Sequence, residues 1–152
     1  MKTNYWIKKY NYKFFQKQLY RLKGIANRNF IATTYYSFLL KSLFSIFLFS
    51  AQLEAGRRII RHFIKKLIKI YINILCNKSI SNKSNGVRMG KGKGNLTEWI
   101  FCLKTASILY NIINLNFFQA FFVLKKASKK FNFKTFIYQI DMKKNNFLKK
   151  NL

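Results

Sequence analysis

The sequence predicts an α+β fold: two helices packed on a mixed, mostly antiparallel sheet, with a long basic hairpin loop and an extended basic N-terminal segment. Three observations predict it. Apolar residues recur at helical spacing in two stretches, and β-branched and aromatic residues cluster or alternate in several short ones. These two kinds of segment follow one another without a regular strand–helix–strand rhythm. At 152 residues, half of them hydrophobic, the chain suffices for one domain with a real core. We read residues 1–30 as a basic aromatic extension, 31–140 as the globular domain and 141–152 as a basic tail.

Taken in order, Tyr35 to Leu48 reads as extended or buried, rich in Phe and Leu. A helix follows from Ala51 to Leu67, with Leu53, Ile60, Phe63, Ile64 and Leu67 on one apolar face. Ser50 suits its N-cap, and Glu54 in the first turn suits the helix dipole. Ile70 to Leu75 is a strand by its β-branched content, and Asn77 to Gly86 a polar loop. Glu98–Leu103 and Ser107–Ile112 are strands. A second helix spans Asn116–Lys129, with Phe118, Phe121, Phe122 and Leu124 inward and lysines at its C-terminal end. Phe136, Tyr138 and Ile140 alternate in a last strand, and the tail after Asp141 is frayed.

Charge narrows function more than pattern does. Lys and Arg number 30 against 3 acids, for a formal net charge of +27. A compact body so charged repels itself unless a polyanion neutralises it. That leaves nucleic acid or an anionic membrane surface as the partner. Hydrolytic and metal-dependent enzymes are poorly supplied, because the acids are Glu54, Glu98 and Asp141 and the one histidine is His62. No catalytic residue, metal, cofactor or small-molecule substrate is expected. Cys76 and Cys102 lack ligand spacing and read as buried free thiols; His62 reads as a partly buried neighbour of the first helix's basic face.

Proline is absent and glycine occurs 6 times, while Asn, Lys, Ile, Phe and Tyr abound. This is the signature of AT-rich codon pressure, as in a small organelle genome or an AT-rich microbe. No secretory signal or transit peptide is visible. The apolar run Ser42–Leu53 is too short to cross a bilayer of roughly 30 Å. The uncharged stretch Thr105–Leu124 carries Asn111, Asn114, Asn116 and Gln119, and reads better as a strand then a helix. A small cationic organellar membrane-associated protein is the alternative reading.

Two segments carry the chemistry. In Arg88-Met89-Gly90-Lys91-Gly92-Lys93-Gly94-Asn95, half of the scarce glycines alternate with lysines. Glycine permits positive φ and close approach to a phosphate, and lysine supplies charge. No Lys-Ser/Thr pair closes the segment and a strand follows it, so it is not a nucleotide-binding P-loop. A basic hairpin reaching into folded RNA fits, against the plainer reading of a flexible solvated hairpin. On the first helix, Arg57, Arg58, Arg61, Lys65 and Lys69 form a stripe answered by Glu54 alone. Solvated faces normally mix signs, so phosphate contact is the expected use. Tyr5, Trp6, Tyr10 and Tyr12 lie among lysines and suit stacking on bases.

These residues make the chain resemble the universal large-subunit ribosomal protein family L-sixteen. The carriers are Gln52-Leu53-Glu54-Ala55-Gly56-Arg57-Arg58 with Arg61, and Arg88 to Asn95 with Trp99. Arg21-Leu22-Lys23-Gly24-Ile25-Ala26, Lys78 and Ile80 add support, and the match runs from Lys13 to Ile140. The resemblance implies a structural constituent of the large subunit that binds rRNA and helps position aminoacyl-site tRNA near the peptidyl transferase centre. It implies that the helix bearing Arg57, Arg58 and Arg61 grips rRNA backbone; together with the charge stripe, the expected rRNA contacts are Arg57, Arg58, Arg61, Lys65, Lys69, Arg21 and Lys23. It also places Arg88, Met89, Gly90, Lys91, Gly92, Lys93, Gly94 and Asn95 toward tRNA and the catalytic RNA, and makes a role in late subunit maturation plausible. A mitochondrial ribosome is expected from the extreme drift and charge, with a plastid or an AT-rich bacterium as alternatives. Leu43, Phe44, Ile46, Phe47 and Phe49 replace the family's glycines and arginines, Ile68 replaces a helix-closing glycine, and the following prolines are gone. Segment 41–50 is accordingly expected to pack on a neighbouring ribosomal protein.

Overall fold

The computed structural model describes residues 22–26, 36–64, 68–90, 92–141 and 148–151. Its elements run β1 (Tyr36–Ser42), β2 (Ile46–Phe49), α1 (Ser50–Phe63), β3 (Ile70–Ile72), β4 (Lys78–Asn82), β5 (Asn95–Leu103), β6 (Ile108–Ile113), α2 (Phe117–Ser128), β7 (Thr135–Asp141) and β8 (Leu148–Asn151). The α+β class stands. The single mixed sheet does not: there is a five-stranded sheet, β3-β6-β1-β7-β8, and a three-stranded one, β2-β5-β4. Every strand pair in both is antiparallel. Parallel character is confined, among the described residues, to an isolated bridge between Ile25 and Thr105.

The division arises at residues 43–45. The extended stretch breaks there, and the chain leaves β1 to pair as β2 with β5. Ser42 anchors the corner: its amide donates to Ser107 (3.0 Å), its carbonyl accepts from Ala106 (3.0 Å), and its hydroxyl donates to Lys104 (2.9 Å). Leu43 donates to the Lys134 carbonyl at 3.0 Å. Leu43 and Phe44 are exposed at the tip, but Leu48 is fully buried and Ile46 packs on the core. Within the apolar 41–50 segment, Leu48 and Ile46 thus serve this chain's own interior.

Helix α1 is shorter than periodicity suggests. It ends at Phe63, Ile64 turns extended as its C-cap, and residues 65–67 lie outside the described residues. Its buried face is Leu53, Gly56 and Ile60, with Ile64 just beyond; Phe63 is half-exposed and His62 exposed, not partly buried. The N-cap is Phe49, not Ser50, and Gln52 accepts its amide at 3.3 Å. Consequently Glu54 sits beyond the first turn, free to meet arginines one turn on.

In α2 the residues facing inward are Ala120, Val123, Leu124 and Ala127; Phe118 is 83% exposed and Phe122 half-exposed. Alanines at i and i+7, with Val123 and Leu124 between them at i+3 and i+4, let the helix lie close to its neighbours, and rings at 118 and 122 fall on the opposite arc. Phe38, Leu40, Tyr110 and Ile112 of the larger sheet meet Leu53, Ile60 and Leu124 of the helices in one core. Cys76 is buried there, its thiol pushed up to about 11 by burial, while Cys102 is only partly buried.

Strand β3 is three residues long rather than six, and β4 occupies part of the expected polar loop. Lys78-Ser79-Ile80-Ser81-Asn82 has little β-branched content, and its strand state comes from pairing with β5. The stretch 105–124 divides into turn, β6 and the start of α2. Among the described residues, no helix is long and apolar enough to cross a membrane.

Candidate nucleic-acid interface

Strand β5 has nine residues, but β2 pairs only with Ile100–Leu103. The Asn95–Trp99 half pairs with β4 alone, so β4 and β5 continue as a two-stranded ribbon ending in the loop 83–94. Residues 95–98 are exposed throughout, as a projecting ribbon requires. Thr97 ties the strands by donating its hydroxyl to the Ile80 carbonyl at 3.1 Å.

The ribbon's glycines meet two different needs. Gly90 (φ +97°) and Gly92 (φ +83°) adopt left-handed backbone with open space where a side chain would stand. Gly94 is required for closeness: a Cβ there would lie 2.3 Å from the Asn82 carbonyl oxygen and 2.7 Å from the Lys83 amide nitrogen. The Lys83 ammonium donates to the Gly90 carbonyl and crosses the loop. Arg88, Met89 and Lys93 are exposed, Met89 to 94%, while Asn95 opens β5 opposite Asn82. Lys91 lies outside the described residues.

The second basic surface is α1. Arg57 donates through Nε and Nη2 to the two Glu54 oxygens at 2.8 and 2.6 Å, and Arg58 Nε donates to Glu54 Oε1 at 3.1 Å. The Arg57 hydrogen bonds hold the Glu54 carboxyl below its ordinary range, Arg58 adds to this, and partial burial opposes it. Arg57 is correspondingly raised by Glu54. Arg61 Nη1 donates to the Ile68 carbonyl at 3.2 Å. Arg57, Arg61 and Lys69 line one cleft, whereas Arg58 faces outward with its side chain 75% exposed. Sequence spacing anticipated the stripe and Glu54 as its counter-charge, but set Glu54 against the helix dipole rather than in hydrogen bonds to Arg57 and Arg58, for which i,i+3 and i,i+4 spacing was the available signal.

Lys23 is exposed on a third piece of chain. Beside it, the Ala26 amide donates to the Thr105 carbonyl (2.9 Å) and the Thr105 hydroxyl to the Gly24 carbonyl (3.1 Å), docking 22–26 against the β5–β6 turn. Arg21, Lys65, Tyr5, Trp6, Tyr10 and Tyr12 lie outside the described residues. Sequence reasoning missed Lys83, while Lys125 and Lys126, expected at the C-terminal end of α2, lie over the rings of Phe121 and Phe122 at 5.8 and 5.4 Å. Among the described residues, no group of three His, Cys, Asp or Glu could hold a metal.

Comparisons with known proteins bear on this arrangement. The family model described as ribosomal protein L16p/L10e matches residues 8–138. The large ribosomal subunit protein uL16 of Carsonella ruddii (strain PV) is 36% identical over 127 residues, covering 81% of this chain and 90% of that protein. The uL16c protein of Oedogonium cardiacum is 37% identical over 116 residues, covering 76% and 83%. The uL16 protein of Acinetobacter baylyi is 37% identical over 125 residues, covering 82% and 90%. With most of its length matched by the model and by these relatives, the chain belongs to the ribosomal protein L16p/L10e family and is a structural ribosomal protein, not an enzyme.

Proposed function

We propose that this chain, a structural constituent of the large ribosomal subunit, grips rRNA backbone with the basic face of α1 and reaches toward aminoacyl-site tRNA with the β4–β5 ribbon. The observation that carries the reading is the state of α1: Arg57, Arg61 and Lys69 line one cleft, Arg58 projects beside it, and among the described residues Glu54 is paired with Arg57 and Arg58 alone. Such an excess suits contact with phosphate, whose condensed counterions the cations would release. Lys65, Arg21 and Lys23 extend the same contact. The globular unit is 31–140, flanked by the basic extension 1–30 and the tail 141–152, and neighbouring ribosomal proteins contact the exposed Leu43–Phe44 tip.

Within the ribbon, Arg88, Met89, Gly90, Lys91, Gly92, Lys93, Gly94 and Asn95 form the part nearest tRNA and the peptidyl transferase centre. A projecting, glycine-spaced, lysine-bearing loop supports this. The ribosome is mitochondrial in this reading, supported by the missing prolines and the charge of +27; a plastid or AT-rich bacterial ribosome is the alternative, and cell fractionation decides between them. Arg58→Glu is the direct test of the α1 assignment, because the side chain is exposed and its reversed charge would face phosphate. In sucrose gradients of cells carrying the variant, the chain is expected to be depleted from the large-subunit peak. Wild-type occupancy would refute the assignment.

A further inference from the structure

A cleft of about 340 Å³ separates α1 from the outer edge of β3; its walls include Arg57, Arg61, Ile68, Lys69, Ile70 and Ile72. β3 is the last strand of its sheet and pairs with β6 alone. The flanking bonds set the phase of that ladder: the Ile113 amide donates to Lys69 at 3.4 Å and the Asn73 amide to Leu109 at 3.5 Å. Odd-numbered residues therefore bond to β6, and the amides and carbonyls of Ile70 and Ile72 point away from the sheet. Across from them, Glu54 fixes the Arg57 guanidinium and the Ile68 carbonyl fixes that of Arg61.

The cleft thus combines three cations, an apolar wall of isoleucines with the half-exposed Tyr71, and outward main-chain donors and acceptors. A convex RNA duplex laid on α1 would use the cations and leave the wall and the strand edge untouched. The volume falls at the low end of the roughly 300–1,000 Å³ typical of small-ligand pockets, the scale of one extruded unit rather than a groove. A protein strand added to β3 would find only three residues to pair with. We infer that the cleft between α1 and β3 receives a single unpaired nucleotide of the rRNA. Its phosphate lies against Arg61 and Lys69, its base edge meets the main chain of Ile70 and Ile72, and its face rests on their side chains. Unpaired, splayed bases are the usual objects of specific RNA recognition. This rests on the rRNA-binding reading of α1 and narrows it to a nucleotide site.

The test is 2′-hydroxyl acylation of large-subunit rRNA, free and bound to the full chain, with wild type, Lys69→Ala, Ile72→Pro and Arg58→Ala. Wild type is expected to protect one unpaired nucleotide. Lys69→Ala and Ile72→Pro are expected to restore its reactivity by roughly tenfold, the loss of one charge-assisted or main-chain bond. Proline is compatible with an edge position whose amide faces outward, and Lys69→Ala, at an exposed side chain, keeps the test valid should Ile72→Pro not fold. Arg58→Ala is expected to leave that nucleotide protected and to weaken protection elsewhere. A chain that binds rRNA without protecting any unpaired nucleotide would overturn the cleft assignment alone, as would a protection indifferent to Lys69 or a cross-link joining Lys69 to a neighbouring protein in the assembled subunit. A chain that binds no rRNA would sink the α1 reading as well.

Discussion

The Tyr110 hydroxyl sits where the side chain of Gly56 would be: a Cβ at position 56 would stand 2.5 Å from the hydroxyl oxygen. That hydroxyl donates to the Leu53 carbonyl and ties β6 to α1 inside the core. Burial raises the phenol's pKa far above its ordinary value, so it stays a neutral donor at any physiological pH.

Replacing Gly56 with Ala is therefore expected to destabilise the fold, although alanine is the better helix former by about 1 kcal/mol. Overpacking of this kind costs about 1–3 kcal/mol, and displacing Tyr110 forfeits about 1 kcal/mol of hydrogen bonding. A net loss of about 1–3 kcal/mol is expected in urea unfolding. Adding Tyr110→Phe to Gly56→Ala should recover part of it, because the nearest clashing atom is then gone.

Acid should loosen α1 through Glu54. Its folded-state pKa is depressed, chiefly by the hydrogen bonds from Arg57. The resulting stability is present above the ordinary carboxyl value near 4.5 and is lost as pH falls from there through the folded value. Melting temperatures measured between about pH 3 and 7 should show Glu54→Gln below wild type at neutral pH and converging with it in acid. A constant gap across that range would exclude the pairing as its source.

Glycine substitutions along the ribbon should separate into two classes. Gly94→Ala drives a methyl into the backbone of Asn82 and Lys83, so β4 and β5 must part at the base of the loop. Gly90→Ala meets no atom and incurs only the left-handed backbone penalty, about 1–2 kcal/mol. Amide exchange in β4 and β5 should accelerate in the first variant and change little in the second.

Lys91→Ala combined with Lys93→Ala should leave thermal stability within about 0.5 kcal/mol of wild type, as surface changes usually do. Translation or late large-subunit maturation should nonetheless be impaired, read from polysome profiles. Normal profiles with both lysines gone would remove the role given to the loop.

What was legible in the sequence, and what was not, has physical causes. Helix α1 and strands β5 and β6 were legible, since Leu53 and Ile60 are buried on the face their spacing predicts and both strands overlap the stretches read as extended. Strand β4 was hidden because Lys78-Ser79-Ile80-Ser81-Asn82 gains its extended form from its partner rather than from its own residue types. The inward face of α2 was legible at Leu124 and Phe121, which lie in or against the core, but not at Phe118 and Phe122, because large rings outweigh alanine in hydrophobicity whereas close helix packing favours Ala120 and Ala127. The two sheets could not be foreseen because the break at residues 43–45 carries neither Gly nor Pro. The stripe of α1 and the glycine–lysine loop were legible from charge and spacing. The α1–β3 cleft was not, because it depends on the free edge of a strand whose neighbours only the fold reveals.

The central claim is that the cations of this chain are matched to ribosomal RNA phosphates. It is tested most directly by the affinity of the full chain for large-subunit rRNA as a function of salt concentration. The account predicts a steep linear fall of log K with log salt, close to 0.7–0.9 per neutralised phosphate. Arg58→Ala should lower that slope by about one. A flat dependence, or a slope unmoved by the loss of Arg58, would contradict it.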